Sequence, residues 1–269
     1  MPILMEVNKI YNEDCRETMS RMPDNFIDLT VTSPPYDNLR TYNDGIDNSW
    51  NKSVWRPIIK ELFRVTKEGG VVVWVVGDAT INGSETGTSF RQALYAMECG
   101  FNLHDTMIYV KKQIAFPSST RYHQCFEYMF VFSKKKPKSI NLILDRKNIS
   151  ADRMGKVNSR LPNGDINKGD KNILRRNYSE RLNWWVIYNQ ERGIENNHPA
   201  VFPESLVKDH IRSWSNEGDL VYDPFMGSGT TAKMAHLLKR KWIGSEISEE
   251  YVELSYKRLQ PYLNQTTLF

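Results

Sequence analysis

The chain has 269 residues, 40% of them hydrophobic, and a mean hydropathy of −0.56. It is long enough for one large domain with a sizeable core, and no run approaches the roughly 18 apolar residues that span a bilayer. Three cysteines without CxxC spacing argue against a disulfide framework and a zinc ribbon. The start, "MPILMEVNKIYNED", lacks a signal-peptide pattern, so a cytoplasmic protein with reduced, buried cysteines is expected. The net charge of +4 is unevenly spread: Lys134 to Arg181 holds 14 Lys and Arg against 5 Asp and Glu, a local net of +9, which leaves −5 elsewhere.

In chain order, "FIDLTVT" (Phe26 to Thr32) reads as a β-branched strand that two prolines end. In "SVWRPIIKELFRVTKEGG", Val54, Ile58, Leu62 and Val65 fall at helical spacing. Ser53 is a suitable cap, Pro57 is tolerable near the first turn, and Gly69-Gly70 supply a stop. The unbroken apolar run "VVVWVVGD", Val71 to Asp78, suits a central parallel strand covered on both faces. A polar loop "INGSETGT", a helix "SFRQALYAMECG" ended by Gly100, and the strands "DTMIYV" and "EYMFVFSK" follow.

Periodicity then fades across the basic stretch, which reads as a loop-rich insertion spanning 134–197 between two halves of one fold, 1–133 and 198–269. Regular patterning returns in "HPAVFPESLVKDHIRSWSNEG", where Pro203 opens a helix and Gly218 closes it. "DLVYDPFMGSGTTAKMAHLLKRK" reads as strand, glycine turn and helix; the strand "WIGSEI" and the helix "SEEYVELSYKRLQPYL" complete the chain. Alternating strands and helices predict an α/β fold with a doubly wound, mostly parallel sheet.

In "DPFMGSGTT" the chain leaves a strand, turns through Gly227 and Gly229, and enters a helix at Thr230 or Thr231. Such a turn lets backbone amides at a helix start approach a ligand. It has no lysine in the position a P-loop needs, which disfavours a nucleoside triphosphate. The next strand ends in Glu246, 17 residues after Gly229, where an acid can accept hydrogen bonds from a ribose diol. Asp223 would place a second carboxylate in the crevice, so a cationic nucleoside such as S-adenosylmethionine suits the pair better than a pyrophosphate.

With "TSPPY" (Thr32 to Tyr36) and "DPFMGSGTT" (Asp223 to Thr231) both present, the chain resembles the amino-methylating DNA methyltransferases. The order of catalytic motif, basic region and glycine motif resembles the permuted β group, as does "HPAVFPESL", His198 to Leu206. The resemblance covers essentially the whole chain and implies a Rossmann-like methyltransferase fold. It assigns Ser33, Pro34, Pro35 and Tyr36 to the catalytic pocket. Asp223, Phe225, Gly227, Ser228, Gly229 and Thr230 would surround the cofactor, with Glu246 on the ribose, Asp14 near the adenine and Phe202 as a pocket wall. The basic insertion would recognise double-stranded DNA, with Lys134, Lys135, Lys136, Lys138, Arg175 and Arg176 as contacts to phosphates or bases. No metal is needed, because the sulfonium already activates the methyl group.

The resemblance further implies a restriction-modification setting with a separate cognate endonuclease, and dimers are frequent in the β group. Ser at the head of the tetrapeptide usually accompanies N4-cytosine methylation, whereas Asp or Asn usually accompanies adenine N6; Ser33 tilts the expectation to cytosine and leaves adenine open. Ring-carbon methylation is disfavoured, since Cys15, Cys99 and Cys125 follow Asp, Glu and Gln rather than proline. A protein or RNA amine methyltransferase would usually carry the two motifs in the opposite order. A non-catalytic DNA-binding module would have no reason to keep both.

Overall fold

The computed structural model describes residues 5–35, 50–111, 119–149, 151, 153–156, 158–167, 172–174, 176–187 and 202–263. Two compact units emerge, one made of Met1–Asn141 with Asn183–Phe269 and the other of Leu142–Leu182.

The first unit begins with β1 (Lys9–Tyr11), α1 (Cys15–Arg21), β2 (Ile27–Thr32), α2 (Lys52–Val65) and β3 (Thr66–Val76). The hairpin β4 (Thr80–Ile81) and β5 (Ser84–Glu85), α3 (Thr88–Glu98), β6 (Asn102–Lys111) and β7 (Phe126–Ser133) follow. The second unit consists of β8 (Leu144–Lys147), β9 (Met154–Lys156), β10 (Ser159–Arg160), β11 (Ile166–Asn167), β12 (Asn172–Leu174) and β13 (Tyr178–Glu180). Then β14 (Trp184–Ile187), α4 (Glu204–Trp214), β15 (Leu220–Asp223), α5 (Thr230–Leu237), β16 (Lys241–Ser245) and α6 (Glu249–Leu263) return to the first.

The main sheet has the order β1-β16-β15-β2-β3-β7-β6-β14. All neighbours pair parallel except β7, which runs antiparallel to β3 and β6. The strand period of two separates the core into two layers. Val72, Trp74 and Val76 join the layer that holds α1, α2 and α3 through Met19, Leu62 and Ala93. Val71, Val73 and Val75 join the layer of α4, α5 and α6 through Leu206, Ala235 and Leu259. Helices on both faces make the sheet doubly wound. From β2 the chain winds through α2 to β3 on one side; from β15 it winds through α5 to β16 on the other. The strand order therefore reverses between β2 and β15, and ligands bind at the carboxyl edge of such a switch point.

Several local expectations change. Asn51, not Ser53, caps α2: its side chain accepts from the Ser53 amide at 2.8 Å. The helix therefore starts earlier, and Pro57 stands inside it. Gly69-Gly70 do not stop α2 but lie in β3 at a register shift against β2. Gly69 has φ +78°, and a Cβ on Gly70 would stand 3.0 Å from the Asp28 carbonyl oxygen, so glycine permits the close strand approach. The helix α4 ends at Trp214, four residues before Gly218. The polar loop "INGSETGT" carries the β4/β5 hairpin.

The second unit, Leu142–Leu182, is narrower than the expected insertion of 134–197: residues 134–141 and β14 belong to the first unit. β14 pairs parallel with β6 at the sheet edge, a placement that its four residues, following a polar stretch, do not announce. Within the second unit, β8 pairs with β13, β9 with β12 and β10 with β11, all antiparallel and concentric in sequence. None of its described apolar side chains is buried.

Candidate active site at the switch point

The tetrapeptide leaves the carboxyl end of β2, and the glycine turn leaves the carboxyl end of β15, its parallel neighbour. Pro34 is buried and Ser33 and Pro35 are half-buried; Tyr36 lies outside the described residues. In the turn, Gly227 and Gly229 have φ +52° and +79°, in the left-handed region that favours glycine. A Cβ on Gly229 would meet the Ser255 side chain of α6 at 2.8 Å, so the turn sits directly on that helix.

That contact is reinforced by hydrogen bonds the sequence reading missed. Ser255 Oγ donates to the Gly227 carbonyl at 2.6 Å, and Arg258 Nη1 donates to the Ser228 carbonyl at 2.5 Å and the Ser228 hydroxyl at 2.8 Å. Arg258 also reaches Thr230 Oγ1 at 3.3 Å and pairs with Glu204, which Lys233 shares at 2.6 Å. The side chains of Ser228 and Thr230 thus face α6 and are engaged by Arg258. An arginine thirteen residues past the end of β16 has no motif signal; only the packing of α6 on the turn identifies it.

Two carboxylates bracket the turn. Asp223 is 2% exposed: Oδ1 accepts from Thr32 Oγ1 at 2.6 Å and the Phe225 amide at 3.0 Å, and Oδ2 accepts from Thr231 Oγ1 at 2.7 Å. Burial pushes its pKa up, and these three donors offset the shift only in part. The expectation that Asp223 lines the crevice as a partner for a ligand amine is corrected: its oxygens are enclosed and engaged with protein donors. Glu246 follows β16 and is half-buried, with Oε2 accepting from the Gly227 amide at 2.8 Å and Oε1 from the Ser248 amide at 2.9 Å. Burial raises its pKa as well, against those two amide bonds. Each oxygen retains acceptor capacity for a diol.

Asp14 sits past the carboxyl end of β1, whose Tyr11 is in register with Ser245, so it shares the edge with Glu246. It caps α1 and binds Arg16 through its amide and guanidinium, and that side-chain hydrogen bond holds its carboxyl below the usual range. Phe225 packs edge-on against Trp50 at 5.4 Å and Trp74 at 6.2 Å, an aromatic wall on the α1–α3 face. Phe202 is half-buried and packs against the core layer of α4, α5 and α6, whereas Phe225 packs against the layer of α1, α2 and α3.

The lysine cluster is also corrected. Lys134 Nζ donates to the Phe63 carbonyl at 2.9 Å and to Asn25 Oδ1 at 3.0 Å, Lys135 pairs with Glu68 at 2.6 Å, and Lys138 pairs with Asp28. All three act at the amino edge, where α2 ends and β2 and β15 begin, opposite the tetrapeptide. Lys136 is exposed beside them. Arg176, in the second unit, pairs with Glu180 at 2.9 Å; Arg175 and His198 lie outside the described residues. Cys15 is buried, which pushes its thiol well up, while Cys99 and Cys125 are half-buried rather than buried; all three are free. Among the described residues, no helix is long and apolar enough to cross a membrane.

A family model described as DNA methylase, covering N6- and N4-methylating enzymes, matches residues 27–257. The chain belongs to this family. Its members depend on S-adenosylmethionine. The orphan methyltransferase M.BamHII of Bacillus amyloliquefaciens is 56% identical over 244 residues, 88% of this chain and 90% of that protein. The type II methyltransferase M.BglII of Bacillus subtilis is 28% identical over 264 residues, 94% of this chain and 69% of that protein. Among solved structures, the cytosine-N4-specific PvuII DNA methyltransferase shares the fold with a TM-score of 0.68 and 24% identity, over 93% of this chain and 85% of that one.

Proposed function

We propose that this DNA methyltransferase methylates the N4 amine of cytosine within a specific sequence, using Ser33 to Tyr36 as the amine pocket and the 223–231 turn with Glu246 as the cofactor site. The adjacency of the two motifs at the switch point carries the reading: neighbouring parallel strands deliver the tetrapeptide and the glycine turn to one edge. The left-handed turn backed by α6 and the remaining acceptor capacity of Glu246 fit a nucleoside with a ribose diol. S-adenosylmethionine supplies a methyl group activated by a sulfonium.

The exocyclic amine is a weak nucleophile because its lone pair is delocalised into the ring. Acceptors that draw its hydrogens out of the ring plane turn that lone pair outward. The Pro34 carbonyl and the Ser33 hydroxyl are the acceptors in this reading, and two consecutive prolines hold their geometry fixed. Tyr36 stacks on the flipped base. The buried Cys15 thiol, held protonated, does not suit the nucleophilic attack that ring-carbon methylation needs. Ser33 supports cytosine over adenine, and the fold is shared with an enzyme named cytosine-N4-specific.

The basic second unit is assigned to target recognition: 142–182 carries ten Lys and Arg against five Asp and Glu. The relatives bear both orphan and type II names, so a cognate nuclease is sought by testing whether the same DNA, unmethylated, is cut in the host. Incubation of DNA with the protein and S-adenosylmethionine, followed by nucleoside mass spectrometry, is expected to yield N4-methyldeoxycytidine. N6-methyldeoxyadenosine would overturn the choice of base. Tyr36→Ala is expected to keep cofactor affinity and slow transfer by about 100-fold, the scale on which loss of a positioning contact acts; unchanged turnover would refute the pocket.

A further inference from the structure

The hydrogen-bonded register between β2 and β15 pairs Val221 with Leu29 and Tyr222 with Thr30, and among the described residues it extends no further. Past this point the chains diverge into the tetrapeptide and the glycine turn. The Asp223 side chain spans the divergence. One oxygen takes the hydroxyl of Thr32, the residue before Ser33, together with the amide of Phe225, two residues before Gly227. The other takes the hydroxyl of Thr231 in the first turn of α5, whose oxygen also lies 3.3 Å from the Val31 carbonyl.

We propose that Asp223 is a positioning residue that replaces the missing strand ladder and couples the amine pocket to the cofactor turn, setting the separation of methyl acceptor and donor. It rests on the reading of Ser33 to Tyr36 as the amine pocket. Three donors from three segments converge on one buried group, and a carboxylate accepts at both oxygens, which a single amide or hydroxyl cannot do. Among the described residues, no Lys, Arg or His contacts the carboxylate, so its burial is not the by-product of an ion pair. A buried charge without a cation is costly, and a purely structural brace is made more cheaply by neutral groups.

The link is broken most cleanly at Thr32, which is fully buried and directly precedes the tetrapeptide in the chain. Thr32→Val keeps the shape and removes the hydroxyl, and Thr32→Ser keeps the hydroxyl; Thr32→Ala replaces Thr32→Val if the latter does not fold by circular dichroism. Amide hydrogen exchange is read with and without S-adenosylmethionine, beside cofactor affinity and the single-turnover rate on DNA. In the wild type, cofactor is expected to protect both the 225–231 amides and those of Thr32 and Ser33. In Thr32→Val, protection stays in the turn and is lost at Thr32 and Ser33, affinity stays within about twofold, and the rate falls about tenfold or more, as for a small misplacement of reacting groups. Thr32→Ser restores both readouts. Wild-type protection at Ser33 and a wild-type rate in Thr32→Val would overturn the coupling. A Ser33→Ala or Tyr36→Ala enzyme with full activity would instead overturn the pocket assignment, whatever Thr32→Val does.

Discussion

Two buried aspartates bridge the same pair of strands from opposite ends. Asp28, at the amino end of β2, accepts from the Leu220 amide at 2.9 Å, from Lys67 at 2.8 Å and from Lys138. Burial works to raise its pKa, but the Leu220 amide and the two ammonium groups together hold its carboxyl below the usual range. Asp223, at the carboxyl end of β15, is held by two hydroxyls and an amide, and burial pushes its pKa up. The amino edge neutralises its buried charge with protein cations; the carboxyl edge leaves its charge to two hydroxyls and an amide. In the proposed reading the carboxyl edge receives a positive ligand, which a resident lysine would serve poorly.

The contrast predicts opposite outcomes for the same chemical change. Asp28→Asn is expected to lower unfolding free energy by about 2 kcal/mol in urea titrations, less than the full cost of breaking a buried pair because both lysines are partly exposed. Equal stability of variant and wild type would remove the distinction. Lys134→Ala releases the Phe63 carbonyl near the end of α2 and is expected to cost about 1 kcal/mol. Its DNA affinity should stay within about twofold of wild type, since a protein that loses no phosphate contact keeps its salt slope; a shallower slope would return this lysine to the DNA interface.

Asp223→Asn is expected to leave stability at pH 7 unchanged or raise it by up to about 1 kcal/mol, by removing an uncompensated buried charge, while methyl transfer slows. The pH dependence separates the two aspartates further. Asp28 has a depressed folded pKa, so its stabilisation is complete above the ordinary carboxylate value and is lost as pH falls through the depressed one. Asp223 has a raised folded pKa, so its contribution is full below the ordinary value and is lost as pH rises through the raised one. The deficit of Asp28→Asn should therefore close on acidification, and any advantage of Asp223→Asn should open as pH rises. Thermal melts between pH 3 and pH 8 check both signs, and parallel curves for the two variants would contradict them.

Local pattern reached far into this protein. The unbroken run at Val71 to Val76 announced a strand covered on both faces, and the prolines after Thr32 and the glycines after Asp223 marked strand exits that lie side by side at one edge of the sheet. These features are legible because chain stiffness, side-chain period and turn chemistry act over a few residues. Partnership across the fold was not legible. A lysine run beside the basic insertion looked like a DNA contact, yet Lys134 and Lys138 hold the amino edge together. Asp223 looked like a ligand for an amine, yet it clasps Thr32, 191 residues earlier in the chain. Ser255 and Arg258 carry no motif, yet they seat the glycine turn. The amino-acid sequence by itself determined the doubly wound class and marked the two segments that leave neighbouring strands at one edge. The tertiary structure alone decided which charges serve stability and which serve the site, because the fate of a charged group depends on what long-range packing places within about 3 Å of it.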